Sequence, residues 1–141
     1  MRLVLSELAR RLLDSNTHFV LSTISSRGVP QSTVVWAMRD GDEIVFSTIR
    51  GRRKTMNMER DPRVSLCGYD PAQPRNYIQV QGTVTLTEEG GKDLINELYL
   101  RYDGRSFEDS DPAVVRLVCR LIPTLLVTRA YPEEPQTRRP T

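Results

Sequence analysis

The chain has 141 residues, a formal net charge of +2 and 38% hydrophobic residues. Such a length fits one domain spanning residues 1–141, and the charge is too small for a wide, backbone-tracking nucleic-acid surface. Apolar runs suited to a signal peptide or a membrane span are absent, and Cys67 and Cys119 read as free structural thiols, which favours a cytoplasmic protein. The apolar content is lean for a strand-rich chain, so burial completed between subunits of a homodimer is expected.

Leu5, Leu8, Ala9, Leu12 and Leu13 recur at helical spacing, with Glu7, Arg10 and Arg11 opposite, predicting an N-terminal helix within residues 1–16. Thr17 to Ile24 is rich in β-branched and aromatic residues and reads as a strand. Ser25-Ser26-Arg27-Gly28 is a hairpin loop, and Val29 to Met38 is the returning strand. Asp40-Gly41 marks a tight turn before a third strand from Glu43 to Thr48.

A short helix from Gly51 to Arg60 follows and is stopped by Asp61-Pro62. Arg63 to Tyr69 is the fourth strand, Pro71-Ala72-Gln73-Pro74 a rigid loop, and Tyr77 to Leu86 a long fifth strand. Thr87 can cap a helix with Glu88 and Glu89 in its first turn and an apolar face through Leu94, Ile95, Leu98, Tyr99 and Tyr102. Asp111-Pro112 opens a turn or two of helix. Val114 to Ile122 and Leu125 to Arg129 form a last strand or strand pair bent near Pro123, and residues 130–141 are expected to be a loosely held tail. Cys67 and Cys119 match no metal spacing and read as structural thiols in strands. The sum is mainly β: about six antiparallel strands in meander order, closed as a small barrel with flanking helices.

Within this order the basic run Arg50, Arg52, Arg53, Lys54 stands at the start of the short helix. Cations there oppose the helix dipole by about 0.3–1 kcal/mol each. A phosphate or carboxylate would remove the conflict, because N–H groups, dipole and side chains would all point at it. Lys54 and Asn57 are three apart, so both can face one ligand. A solvated surface loop accounts for the same composition, and both readings stand at this point.

The blocks Gly28-Val29-Pro30-Gln31-Ser32-Thr33-Val34-Val35-Trp36, Arg52-Arg53-Lys54-Thr55-Met56-Asn57, Asp61-Pro62-Arg63-Val64 and Gln81-Gly82-Thr83-Val84, in that order, resemble the flavin-binding split barrel of the pyridoxamine 5′-phosphate oxidase superfamily. The set is most similar to its small deazaflavin (coenzyme F420)-dependent reductases. The resemblance implies a six-stranded antiparallel split barrel with a cofactor-binding set. By that resemblance Arg52 and Lys54 would grip the cofactor phosphate with Asn57 in support, Ser47 and Thr48 would offer hydroxyls to the same group, and Thr33, Val34, Val35 and Trp36 would line the ring. It also implies a homodimer with sites at the interface, where Tyr77 and Gln79 reach the partner's cofactor.

Each role has a plainer counterpart: Trp36 as a core aromatic, Tyr77 as cover for a barrel edge, His18 as a structural or exposed residue, Arg63 as the partner of a nearby acid. Asp109 and Asp111 read as solvated. No catalytic residue is identified, and no metal site is expected. With one His in the chain, neither a Ser-His-Asp triad nor a His-based metal site is easily assembled. A cofactor that carries the chemistry makes that set unnecessary. The resulting expectation is an oxidoreductase moving a hydride from reduced F420 to an unsaturated small-molecule substrate. FMN-dependent oxidoreduction and non-enzymatic storage, sensing or carriage of the cofactor are the alternatives. The cations Arg50 and Arg53, beyond one phosphate's needs, favour the deazaflavin and its anionic glutamyl tail over FMN.

Overall fold

Apolar content from Val29 to Met38 predicts one strand, but the computed structural model, which describes residues 2–132, breaks it at Trp36. The elements are α1 (Glu7–Asp14), β1 (Phe19–Ile24), β2 (Pro30–Val35), β3 (Ala37–Asp40), β4 (Glu43–Ile49), α2 (Arg53–Arg60), β5 (Arg63–Asp70), β6 (Gln73–Thr87), α3 (Gly91–Asp103) and β7 (Arg116–Arg129). All strands form one antiparallel sheet in the order β2-β1-β5-β6-β7-β4-β3. Its two edge strands, β2 and β3, are separated in the chain by Trp36 alone. Joining opposite edges through one residue forces the sheet to curl into a split barrel. The count of seven strands rather than six follows from that break.

Phe19, Leu21, Ile44, Phe46, Leu66, Ile78, Val80 and Leu121 fill the interior, and each is fully buried. Burial of a side chain of this size stabilises by about 1.5–3 kcal/mol. Helix α1 lays Leu8, Ala9, Leu12 and Leu13 into the same cluster, and its N-cap Ser6 Oγ accepts from the Ala9 N–H at 3.2 Å.

Helix α3 packs on the outside, where Leu94 and Leu98 meet Met38 and Val45 beside Trp36, Tyr102 and Val118. A Cβ at Gly91 would strike the Arg116 carbonyl, so glycine lets the helix begin directly against β7. At its other end the Tyr102 hydroxyl donates to the Thr17 carbonyl at 2.6 Å and accepts from the Ala37 N–H at 3.2 Å. Those contacts pin α3 to the approach of β1 and the start of β3.

Several local expectations shift. Helix α3 begins after Gly90, which has φ +81°, so Glu88 and Glu89 precede it, and Glu88 instead faces Arg50 at 3.5 Å. The loop after Asp70 shrinks to a turn at Pro71-Ala72, because Asp70 accepts the Ala72 N–H at 2.9 Å and β6 starts at Gln73. After Asp111-Pro112 there is a turn and no helix. Strand β7 runs unbroken through Pro123, which is accommodated opposite a bulge between Gln81 and Gly82. Of the two thiols, Cys119 is buried and Cys67 is exposed. The Tyr131 N–H donates to Asn76 Oδ1 at 2.8 Å, while residues 133–141 of the expected tail lie outside the described residues.

Candidate functional site

Strand alternation sends Phe46 inward and its neighbours Val45 and Ser47 to the outer face of β4. Val45 is covered by α3. Ser47, two residues further along, lies beyond that cover, at the wall of a cleft of about 220 Å³. Val34, Val35 and Trp36 supply one side, Arg52 and Lys54 a second, and Ile95, Leu98 and Tyr99 of α3 a third; Arg116 completes it.

Six residues of the expected set therefore meet: Val34, Val35, Trp36, Ser47, Arg52 and Lys54. Trp36 stacks on Tyr102 with centroids 5.0 Å apart and meets Tyr99 edge-on at the same distance. Its indole N–H donates to His18 Nε2 at 3.3 Å. Trp36 thus packs as a core aromatic does and still presents a surface to the cleft.

The electrostatics of the cleft suit an anion. Lys54 is half-buried and has no carboxylate partner among the described residues. Burial, with a smaller contribution from the Arg52 charge, pushes its ammonium below the usual lysine range. Arg52 is the N-cap of α2, makes no capping bond, and the first turn has no acid. Ser47 Oγ is buried without a hydrogen-bond partner. A buried orphan hydroxyl, an unpaired desolvated ammonium and free helix N–H groups are each unfavourable alone. One oxyanion would satisfy all three.

The remaining expected residues lie elsewhere. Thr48 is fully buried on the inner face, bonded to Thr55 Oγ1 at 2.8 Å, while Thr55 in turn donates to the Ile49 carbonyl at 2.7 Å. Its hydroxyl anchors α2 to β4 and does not reach the cleft. Asn57 is also buried, donating to Thr23 Oγ1 at 3.1 Å and Gln31 Oε1 at 2.8 Å, and it lines a different cleft from Lys54. The three-residue spacing of Lys54 and Asn57 permitted a shared ligand, but the Asn57 amide is committed to Thr23 and Gln31 instead. Thr33 shares the inward parity of Val35, and its hydroxyl is buried without a partner. Tyr77 and Gln79 alternate with the buried Ile78 and Val80, which places them on the outer sheet face, away from their own chain's cleft. Arg63 is held by Asp61 at 2.7 Å, and Arg50 by Glu88.

Sequence reasoning missed Arg116, Tyr99 and the loop before β7. Arg116 and Asp109 form a two-pronged pair at 2.9 and 3.1 Å, both largely buried, so Asp109 is not a solvated carboxylate. The guanidinium also lies 5.4 Å from the Phe107 ring centre, and Phe107 stacks on Tyr99 at 4.1 Å. The available signal was an acid seven residues before a strand arginine, too common to single out. Among the described residues, no group of three or more His, Cys, Asp or Glu is placed to hold a metal ion, and no helix is long and apolar enough to cross a membrane.

Comparison with known proteins agrees with this architecture. The pyridoxamine 5′-phosphate oxidase profile matches residues 5–121. A solved F420 reductase is 28% identical, with a TM-score of 0.79 over 87% of this chain and 98% of its own. A conserved hypothetical protein from Mycobacterium tuberculosis is 24% identical, with a TM-score of 0.73 over 89% of this chain and 85% of its own. General Stress Protein 26 from Bacillus anthracis shares the fold at 19% identity and a TM-score of 0.69, covering 87% and 92% of the two chains. A search of curated proteins returns no significant match.

Proposed function

The chain belongs to the pyridoxamine 5′-phosphate oxidase family, and from that premise we propose that it is an F420-dependent reductase acting on an unsaturated organic substrate. The observation that carries this reading is the unpaired, desolvated Lys54 beside Arg52 and the orphan Ser47 hydroxyl in one cleft. These groups fit a cofactor phosphate. The segment from Thr33 to Trp36 offers backbone and the Trp36 surface to a flat ring, and Ile95, Leu98 and Tyr99 of α3 form the facing wall.

When bound, a reduced deazaflavin supplies a hydride donor that reacts poorly with oxygen, which favours a reductase over an oxidase. The protein's part is to hold, orient and shield. The likeness to an F420 reductase supports the deazaflavin; FMN is the alternative, since the phosphate corner serves either.

A homodimer belongs to the same proposal. Val34, Val20, Cys67, Gln79 and Val127 are successive cross-strand partners on the outer face, with Val34 65% and Val20 41% exposed. Because Val34 also lines the cleft, a second copy seated on this row would cover the site and bring Tyr77 and Gln79 near it. Sedimentation showing only a 16.1 kDa species at micromolar concentration would contradict the dimer. A cytoplasmic location is proposed with it, to be checked by fractionation; recovery only outside the cytoplasm would contradict it.

The functional test is titration of the purified protein with F420 and FMN separately, followed by fluorescence, and then turnover with reduced F420. Tighter F420 binding with substrate-dependent F420 oxidation supports the reading. Tight FMN binding without F420 binding reverses it, and F420 binding that supports no turnover favours a carrier or sensor.

A further inference from the structure

Trp36 is the single residue between β2 and β3 and belongs to neither ladder, so side-chain contacts orient its indole. Two of these contacts are aromatic. The ring stacks on Tyr102 at an interplanar angle of 10° and meets Tyr99 edge-on at 84°. Such contacts set the plane of a ring and its height, but turning within that plane stays soft, because dispersion varies little with it. The third contact is directional. An indole N–H can only donate, and it donates to His18 Nε2 at 3.3 Å. That imidazole nitrogen therefore accepts, with the ring proton on Nδ1.

His18 is itself well anchored for this contact. It lies one step beyond the paired Phe19 and Val35, which makes it the cross-strand neighbour of Trp36. The residues on either side of it, Thr17 and Phe19, are buried, and the Thr17 carbonyl accepts the Tyr102 hydroxyl at 2.6 Å. Its ring meets Tyr102 edge-on, with centroids 5.5 Å apart. His18 is exposed and is not among the walls of the cleft that Trp36 lines. An exposed side chain on a clamped backbone thus reaches the cleft through one hydrogen bond to one ring.

We propose that His18 is a positioning residue of the cleft: by accepting the Trp36 N–H it fixes the direction of the indole, and with it the surface on which a flat ring ligand lies. This rests on the cofactor reading, in which the segment from Thr33 to Trp36 meets the ring. It assigns His18 no contact with cofactor or substrate. Loss of one neutral hydrogen bond corresponds to roughly a two- to tenfold change in an equilibrium constant.

The test uses the full chain as wild type, His18→Leu and His18→Gln. Leucine removes the acceptor, while the glutamine amide oxygen can take the place of Nε2. Because the chain has a single tryptophan, its indole N–H gives one cross-peak in a proton–nitrogen correlation spectrum of the unliganded protein. Expected is a displaced, faster-exchanging peak in His18→Leu and a return toward wild type in His18→Gln. F420 titration followed by cofactor fluorescence should give a dissociation constant roughly fivefold higher for His18→Leu and within about twofold of wild type for His18→Gln. In a Trp36→Phe background, which keeps an aromatic ring but has no N–H, His18→Leu should add no further loss. That control holds even if the leucine variant melts earlier.

An unmoved indole peak in His18→Leu overturns the inference, as does a moved peak with unchanged F420 affinity. Equal weakening by leucine and glutamine, or the same loss from His18→Leu with and without the indole N–H, gives His18 a general structural role and overturns it too. None of these results touches the cofactor assignment. Wild-type protein that binds neither F420 nor FMN removes that assignment, and this inference with it, whatever the peak shows.

Discussion

Two apolar clusters meet at Trp36, and they end differently. Inside the barrel, Phe19, Phe46, Leu21 and Ile78 have hydrocarbon neighbours on every side and are fully buried. Beneath α3, Met38, Val45 and Leu98 are covered, but the layer then gives way to Trp36, Tyr99 and Ser47 at a cleft wall. The interior is closed by one sheet curling on itself. The outer cluster is closed on one side only, and at its open margin the chain sets partnerless cations. The packed core and the candidate cleft thereby lie on opposite faces of the same strand, β4, whose Phe46 faces one and Ser47 the other.

That separation can be tested from either side. The largest effect is expected for Phe46→Ala, which should destabilise by about 3–5 kcal/mol in chemical denaturation. A loss under about 1 kcal/mol would mean that the interior is not the principal core. Tyr102→Phe should cost less, about 0.5–1.5 kcal/mol, because one hydroxyl joining α3 to Thr17 and Ala37 is lost while the ring stays stacked on Trp36. An unchanged melting temperature would show that this clamp does not hold α3.

The smallest effect concerns pH. The free-state ammonium of Lys54 has a lowered pKa, and a bound anion favours its charged form. Anion affinity should therefore be present at neutral pH and decline as pH rises through that lowered value, earlier than an ordinary lysine would give. Affinity constant up to pH 10.5 would contradict a role for Lys54 charge.

The fold was legible in the sequence where local signals agree: β-branched runs broken by Arg27-Gly28 and Asp40-Gly41, and a helix stopped by Asp61-Pro62. The break at Trp36 was not, since Val29 to Met38 reads as continuous strand and only closure of the sheet demands a bend. Arg52 and Lys54 were legible because consecutive cations at a helix start are locally unfavourable. The orientation of Asn57 and Thr48 was not, because spacing along a helix or strand gives a face but not what that face meets. Arg116 and Tyr99 were hidden for a related reason: they reach the cleft through the packing of α3 against β7, a contact between distant segments.

The most direct measurement uses the chain's single tryptophan, which lines the cleft. Trp36 fluorescence would be followed during F420 titration of wild type, Lys54→Ala and Lys54→Arg, with the melting temperature of each recorded. Charge-assisted contacts contribute about 1.5–3 kcal/mol, so Lys54→Ala should raise the dissociation constant roughly ten- to hundredfold. The arginine variant should recover part of that, since a planar fork replaces a compact ammonium. The fold should be unaffected, because Lys54 pairs with no carboxylate among the described residues. Wild-type affinity in the alanine variant, with the melting temperature unchanged, would contradict the anion-binding cleft.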